Sequence, residues 1–183
     1  MNFKVETSQL EGLKIITPKV FNDSRGFFYE SYKSSTFKEM GLVDDFIQAN
    51  QSFSYKDVIR GLHFQVGKSA QAKLVRCLRG EIHDVAVDLR KNSPTFGKSF
   101  GINLSHKNRV MFYIPIGFAH GFSVLSDEAD VLYNVSGGEY DPEAESGIRF
   151  DDPTLAISWK VNYPIVSDKD HDLPFFNDSQ NFF

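Results

Sequence analysis

KLVRCLRGEIHDVAVDL, residues 73–89, is two apolar runs of strand length broken at Arg79-Gly80. Lys73 to Arg79 alternates polar and apolar in places, and Glu81 to Leu89 resumes the pattern after the glycine, which predicts a β-hairpin. Working outward, further short apolar runs are bounded by turn residues: Leu13–Ile16, Gly26–Tyr29, Val110–Ile114, Phe122–Leu125 and Asp130–Val135. Asn92-Ser93-Pro94 and Pro115-Ile116-Gly117 read as turns. The one helical candidate is Ser35–Gly41, opened by Ser/Thr and closed by Gly. Short strands at this spacing with almost no helix predict an all-β sandwich or barrel. Alternation puts Ile82, Asp84, Ala86 and Asp88 on one face of their strand and His83, Val85, Val87 and Leu89 on the other. Carboxylates on one face of an otherwise apolar strand predict a wet cavity beside the core.

The composition narrows the function classes. The chain has 183 residues, 41% hydrophobic and 24% charged, ordinary globular values that fit one domain spanning 1–183. A net charge of −4 argues against a nucleic-acid surface, which needs a basic stripe. Phe, Tyr and Trp make up 14%, an aromatic content that favours strands and stacking sites. Cys77 is the single cysteine, so no internal disulfide forms, and its place in a strand-like run predicts an inert buried thiol. No apolar stretch approaches the ~18 residues of a membrane span, and Met1–Leu10 has no signal-like apolar core. The expectation is a cytoplasmic protein with no membrane partner.

Several residues could carry chemistry. His63 lies between Leu62 and Phe64, which alternation points away from it. Arg60 falls on the opposite face unless Gly61 permits a bulge. A lone strand histidine is more often structural, yet imidazole is the side chain best suited to proton transfer near neutral pH. Lys73 reads as a snorkelling strand-end lysine, or, aimed into a cavity, as a stabiliser of an enolate oxygen. Tyr133 is a packed strand tyrosine or a general acid. Ser167-Asp168-Lys169-Asp170-His171-Asp172 is a solvated charged turn or a carboxylate delivered to a histidine. Pro115-Ile116-Gly117-Phe118-Ala119-His120 resembles the P-x-G-x-x-H motif of the cupins, small β-barrels that often bind a metal through that histidine. No H-x-H occurs in the chain, so the usual metal set is incomplete.

Taken together these segments resemble the dTDP-4-dehydrorhamnose 3,5-epimerases, a metal-free branch of the cupins. The resemblance runs in order through Asp23–Ser31, Gln48-Ala49-Asn50, Arg60–Gln65, Ala72–Arg76, Asp84–Asp88, Ser93–Gly97, Ile114–Phe122, Tyr133, Asp151-Asp152-Pro153 and Ser167–Asp170. It implies a cupin-type jelly-roll with short flanking helices, and inversion of C3 and C5 of a dTDP-4-keto-6-deoxy-hexose through an enolate, without cofactor. His63 would be the base, Asp170 its hydrogen-bond partner, Lys73 the enolate stabiliser and Tyr133 the acid. Gln48, Asn50, Arg60, His120, Glu145 and Lys169 would line the sugar and diphosphate site, and Tyr140 would stack on thymine. Arg25, Phe28 and Glu30 would reach the neighbouring subunit's site, in a homodimer with exchanged N-terminal strands.

The chain departs from the family pattern in the loop Asn134–Asp141. There Glu139 replaces the first of two tyrosines, the loop is one residue longer, and Asn134 stands where lysine is common. Ala49 stands where aspartate is common. These positions adjoin the nucleotide and sugar, so a C3-only or C5-only epimerase acting on a related sugar is the alternative within the family. A metal-dependent cupin enzyme and a non-catalytic sugar-binding cupin are alternatives outside it.

Overall fold

The computed structural model describes residues 2–42, 45–179 and 182–183; Met1, Val43, Asp44, Gln180 and Asn181 lie outside the described residues. In chain order the elements are β1 (Phe3–Thr7), β2 (Lys14–Pro18), β3 (Phe21–Asp23), β4 (Gly26–Phe28), α1 (Ser34–Glu39), β5 (Gln48–Tyr55) and β6 (Ile59–Gln65). They continue with β7 (Gln71–Arg79), β8 (Glu81–Asp88), β9 (Ser99–Ser105), β10 (Met111–Ile114), β11 (Phe118–Val124), β12 (Glu128–Gly137), β13 (Glu145–Gly147) and α2 (Asp168–His171). One sheet runs β1-β2-β10-β7-β12-β5 and the other β13-β6-β11-β8-β9, with β3-β4 a separate hairpin. This is an all-β jelly-roll sandwich of cupin type, open at its edges and not a closed barrel.

The hairpin expected over residues 73–89 does not form. β7 pairs with β10 and β12, whereas β8 pairs with β11 and β9, so the two runs belong to opposite sheets. Gly80, at φ +78°, carries the chain across. The turn's polar groups are satisfied by neighbouring loops: the Gly80 carbonyl accepts from His106 N at 3.2 Å, and Glu81 N donates to Ser126 Oγ at 2.8 Å. A tight glycine turn serves a hairpin or a crossover equally well, and burial of both strands selected the crossover.

The central strands β10, β8 and β11 are buried on both faces, which is why they read as near-continuous apolar runs. Val75 and Cys77 of β7, Ile82 and Ala86 of β8, Phe122 and Val124 of β11 and Val131 of β12 fill the space between the sheets. Val85 and Val87 instead pack outward against Ile148, Phe150, Leu155 and Trp159. Leu74, Ile16 and Met111 pack outward against Phe37 of α1, whose ring is fully buried. Helix α1 matches the expected Ser35–Gly41 closely, and Gly41 at φ +69° ends it. Cys77 is buried as expected, its Sγ donating to the Arg79 carbonyl, and burial pushes the thiol up to about 11.

A Cβ at Gly80 would collide with the Glu128 carbonyl oxygen and Ser126 Oγ, in a conformation that L residues resist. Gly80→Ala is expected to lower unfolding stability by about 2–3 kcal/mol, read from urea denaturation; a change within about 0.5 kcal/mol would show that the crossover does not depend on this glycine.

Candidate active site

The cleft opens between the two sheets, and an irregularity in one strand pair shapes it. β6 and β11 pair His63 with His120, then Arg60 with Phe122. Two residues of β6, Gly61 and Leu62, therefore oppose the single Gly121, which is a β-bulge. Parity flips at the bulge, so Leu62 and Phe64 pack outward while Arg60 joins His63 on the cleft side. The bulge needs glycine: Gly61 sits at φ +121°, and a Cβ there would lie 2.6 Å from Gly121 Cα and 2.7 Å from the His120 carbonyl oxygen.

The charged turn near the C-terminus is α2, a single helical turn whose N-cap Ser167 accepts from Asp170 N. Val58 bridges to Ile165 in parallel, so the tail leading to α2 runs beside β6. Asp170 is buried, and its Oδ1 lies 2.7 Å from His63 Nε2 while Oδ2 accepts from Gly61 N at 3.1 Å. Burial pushes the Asp170 carboxyl up, but the bonds from His63, Gly61 and Ser167 outweigh it and hold the group below its ordinary value. An ionised carboxylate only accepts, so His63 donates Nε2–H to it, and in the neutral imidazole this leaves the lone pair on Nδ1.

The cleft has a volume of about 480 Å³ and gathers residues from both sheets. Arg60, His63, His120 and Phe122 line it from one side, Ser52, Lys73 and Tyr133 from the other, with Ile165–Ser167, Lys169 and Asp170 at its border. Burial lowers Lys73 to about 8, against the opposing charges of Asp84 and Glu145. Its ammonium sits 5.9 Å from the centre of the Tyr133 ring. Burial raises the Tyr133 phenol, opposed by the Arg60 charge and a bond with Asn50. His120 Nε2 lies 3.0 and 3.1 Å from the two oxygens of Asp84, and both groups are buried. Burial lowers His120 despite that carboxylate, which favours neutral imidazole. Chemically, this arrangement places a carboxylate-oriented imidazole, an ammonium and a phenol around one space. Among the described residues no three His, Cys, Asp or Glu side chains cluster so as to hold a metal ion.

Residues 7–178 match the sequence profile of the dTDP-4-dehydrorhamnose 3,5-epimerases. The chain belongs to this family. The dTDP-4-dehydrorhamnose 3,5-epimerase of Shigella flexneri is 48% identical over 176 residues, covering 96% of this chain and 97% of that protein. The crystal structure of the Elizabethkingia anophelis 3,5-epimerase superposes with a TM-score of 0.94 at 48% identity, covering all of both chains. That of the Legionella pneumophila 3,5-epimerase, in complex with dTDP-4-keto-L-rhamnose, gives 0.93 at 46%, covering 97% of this chain and 95% of that one.

The family residues expected from the sequence fall in four places. His63, Asp170, Lys73, Tyr133, Arg60, His120 and Lys169 converge on the cleft. Glu145, Tyr140 and Lys169 form a clasp at an adjoining depression: Tyr140 Oη and Lys169 Nζ each donate to Glu145 Oε2 at 2.8 Å. Burial raises Glu145, but these two bonds bring it below its usual value. Gln48 Nε2 donates to Asn50 Oδ1 at 2.9 Å on β5, beside Tyr133. Arg25 and Phe28 lie outside the cleft on the exposed β3–β4 hairpin, where Arg25 binds Asp23, and Glu30 follows that hairpin. Asp84, Ser52 and Ser54 are additions. Asp84 stands out in the sequence as a carboxylate in an apolar strand; the alternation that continues from Gln48 and Asn50 through Ser52 and Ser54 is the signal that points to the two serines.

Lys73 is held charged at neutral pH against its burial, so it costs stability there. The sign follows from its lowered value: between about 8 and 10.5 the unfolded chain binds the proton and the folded one does not, so this group's penalty fades as pH rises. Lys73→Met is expected to raise Tm at pH 7 by about 2–4 °C, with the gain shrinking toward pH 10; calorimetry across that range checks it, and a destabilised variant at pH 7 would contradict the reading.

Proposed function

We propose that this protein is a dTDP-4-dehydrorhamnose 3,5-epimerase, an isomerase converting dTDP-4-dehydro-6-deoxyglucose to dTDP-4-dehydrorhamnose. The observation that carries the reading is the His63–Asp170 pair, 2.7 Å apart, set in one cleft with Lys73 and Tyr133 from the facing sheet.

The chemistry follows from the geometry. A ketone at C4 acidifies the protons on C3 and C5. His63 Nδ1 takes one of them, the C–H electron pair becomes the C=C of an enolate, and the C4 oxygen takes the negative charge. The Lys73 ammonium stabilises that oxygen, in a site where burial strengthens the interaction. Tyr133 then gives its phenolic proton to the carbon from the opposite face, inverting the centre. The imidazolium returns its proton to solvent and the phenolate regains one. Asp170 stabilises the imidazolium and fixes the tautomer. The sequence is redox-neutral and calls on no cofactor.

The remaining assignments belong to the same reading. Arg60 and Lys169 suit a diphosphate, with guanidinium able to bind it in a forked geometry. His120, Gln48, Asn50 and Glu145 contact the sugar and phosphates, and Tyr140, half-exposed at the rim, offers a face to thymine. Arg25, Phe28 and Glu30 serve the neighbouring subunit in a homodimer with exchanged N-terminal strands. The exposed rings of Phe27 and Phe28 support an interface there, since such patches are normally covered. Residues 1–183 act as one catalytic domain, in the cytoplasm, where Cys77 stays a thiol.

The test is solvent deuterium incorporation into dTDP-4-keto-6-deoxyglucose, read by NMR. Label at both C3 and C5 is expected; label at one alone would reassign the enzyme as a mono-epimerase, and none would remove the activity. His63→Ala should abolish exchange at both carbons, while Tyr133→Phe should keep part of the exchange and lose inversion. Because the ammonium of Lys73 is the active form, kcat/KM should fall as pH rises through about 8.

A further inference from the structure

On the cleft side of β5 the residues are Gln48, Asn50, Ser52 and Ser54, cross-strand neighbours of Val135, Tyr133, Val131 and Ala129 on β12. Cross-strand partners share a face, and Val131 and Ala129 lie in the core between the sheets, so this row points inward. The row is almost fully paired. Gln48 binds Asn50, Asn50 binds Tyr133, and Ser54 Oγ accepts from Arg60 Nε at 2.9 Å. Ser52 is the exception: its Oγ is buried and has no hydrogen-bond partner among the described residues. The two other such atoms, Arg109 Nε and Ser136 Oγ, belong to residues that do not line the cleft. Ser52 does, between the residues that hold Tyr133 and those that hold Arg60.

A buried hydroxyl without a partner is costly to keep, and alanine would fill the position without that cost. A hydroxyl retained in a substrate cleft, with every neighbour in its row engaged, is a group whose partner arrives with the ligand. We propose that Ser52 contacts the substrate directly, its Oγ hydrogen-bonding an oxygen of the 4-keto sugar on the Tyr133 side of the cleft. This rests on the epimerase reading and adds a residue to it. Ser52 holds the sugar against the wall from which the proton returns, so that the target carbon faces Tyr133 while His63 attacks from the other sheet. Because Oγ both donates and accepts, a sugar hydroxyl or the C4 carbonyl oxygen satisfies it.

Ser52→Ala, assayed on dTDP-4-keto-6-deoxyglucose, is expected to lower kcat/KM at least about tenfold while Tm of the ligand-free protein stays level or rises. The Tm increase caused by saturating dTDP-4-keto-6-deoxyglucose should also be smaller in the variant. Ser52→Thr, which keeps the hydroxyl on a residue suited to a strand, should recover much of the lost activity. A kcat/KM within twofold of wild type overturns the proposal. A fall in Tm that accounts for the lost activity overturns it too, since Ser52 would then be structural. An inactive wild type removes the epimerase reading and this proposal together, an outcome distinct from an active wild type with an equally active Ser52→Ala.

Discussion

The Asp170 carboxylate joins two things that the rest of the cleft depends on. One oxygen meets His63 Nε2 and the other holds Gly61 N inside the β6 bulge. The bulge turns Arg60 onto the same side as His63, and the bond to Nε2 leaves His63 Nδ1 free to act. A carboxylate that served the imidazole alone would orient a base in a strand still facing two ways. The tail that carries Asp170 is itself tied to β6, with Ile59 N donating to the Ile165 carbonyl at 2.9 Å and Ile165 N to that of Asp57. Strand, bulge and C-terminal turn are thus one mechanical unit, and Gly121, facing Gly61 across the strand pair, allows the close backbone approach it requires.

The cleft is costly to the fold around it. Lys73, Asp84, His120 and Asp170 are polar groups set among apolar strands, and the sandwich tolerates them by pairing them: Asp84 with His120, Asp170 with His63, Lys73 with the field of Asp84 and Glu145. Asp88, four residues further along β8, shows the contrasting use of a buried carboxylate. Bonded by Arg90, Ser93 and Thr95 and held near 2, it fixes the turn leading to β9 and takes no part in the cleft. The two aspartates share a face of one strand, and only their surroundings separate chemistry from architecture.

Much of this was legible in the chain. The all-β class followed from short apolar runs and turn signals, the inward polarity of Asp84 from strand parity, and the possible bulge at Gly61 from the need to reconcile Arg60 with His63. The failure at residues 73–89 is physical: a glycine turn encodes a reversal of direction, but the partners of each strand, β10 and β12 for one and β11 and β9 for the other, lie far along the sequence. β5 escaped for a different reason. Its inward face is polar because it borders the cleft, while Phe53 and Tyr55 point outward, inverting the usual alternation. The Asp170 contact was foreseeable only through family resemblance, since 107 residues separate it from His63.

The two-sheet architecture also explains why a single cleft can invert a carbon. Inversion needs a base and an acid on opposite faces of a planar enolate, and side chains of one strand face present only one direction of approach. In the mechanism proposed above, the imidazole that acts as base comes from β6 in one sheet and the phenol that acts as acid from β12 in the other, with Lys73 of β7 beside the phenol. The gap between the sheets is therefore where the planar intermediate belongs, and the two faces of the sugar see different sheets. Moving either group onto the opposite sheet would put acid and base on the same face, where proton return would regenerate the starting configuration. On this view the sandwich does more than carry the residues: the separation of its sheets sets the stereochemical course.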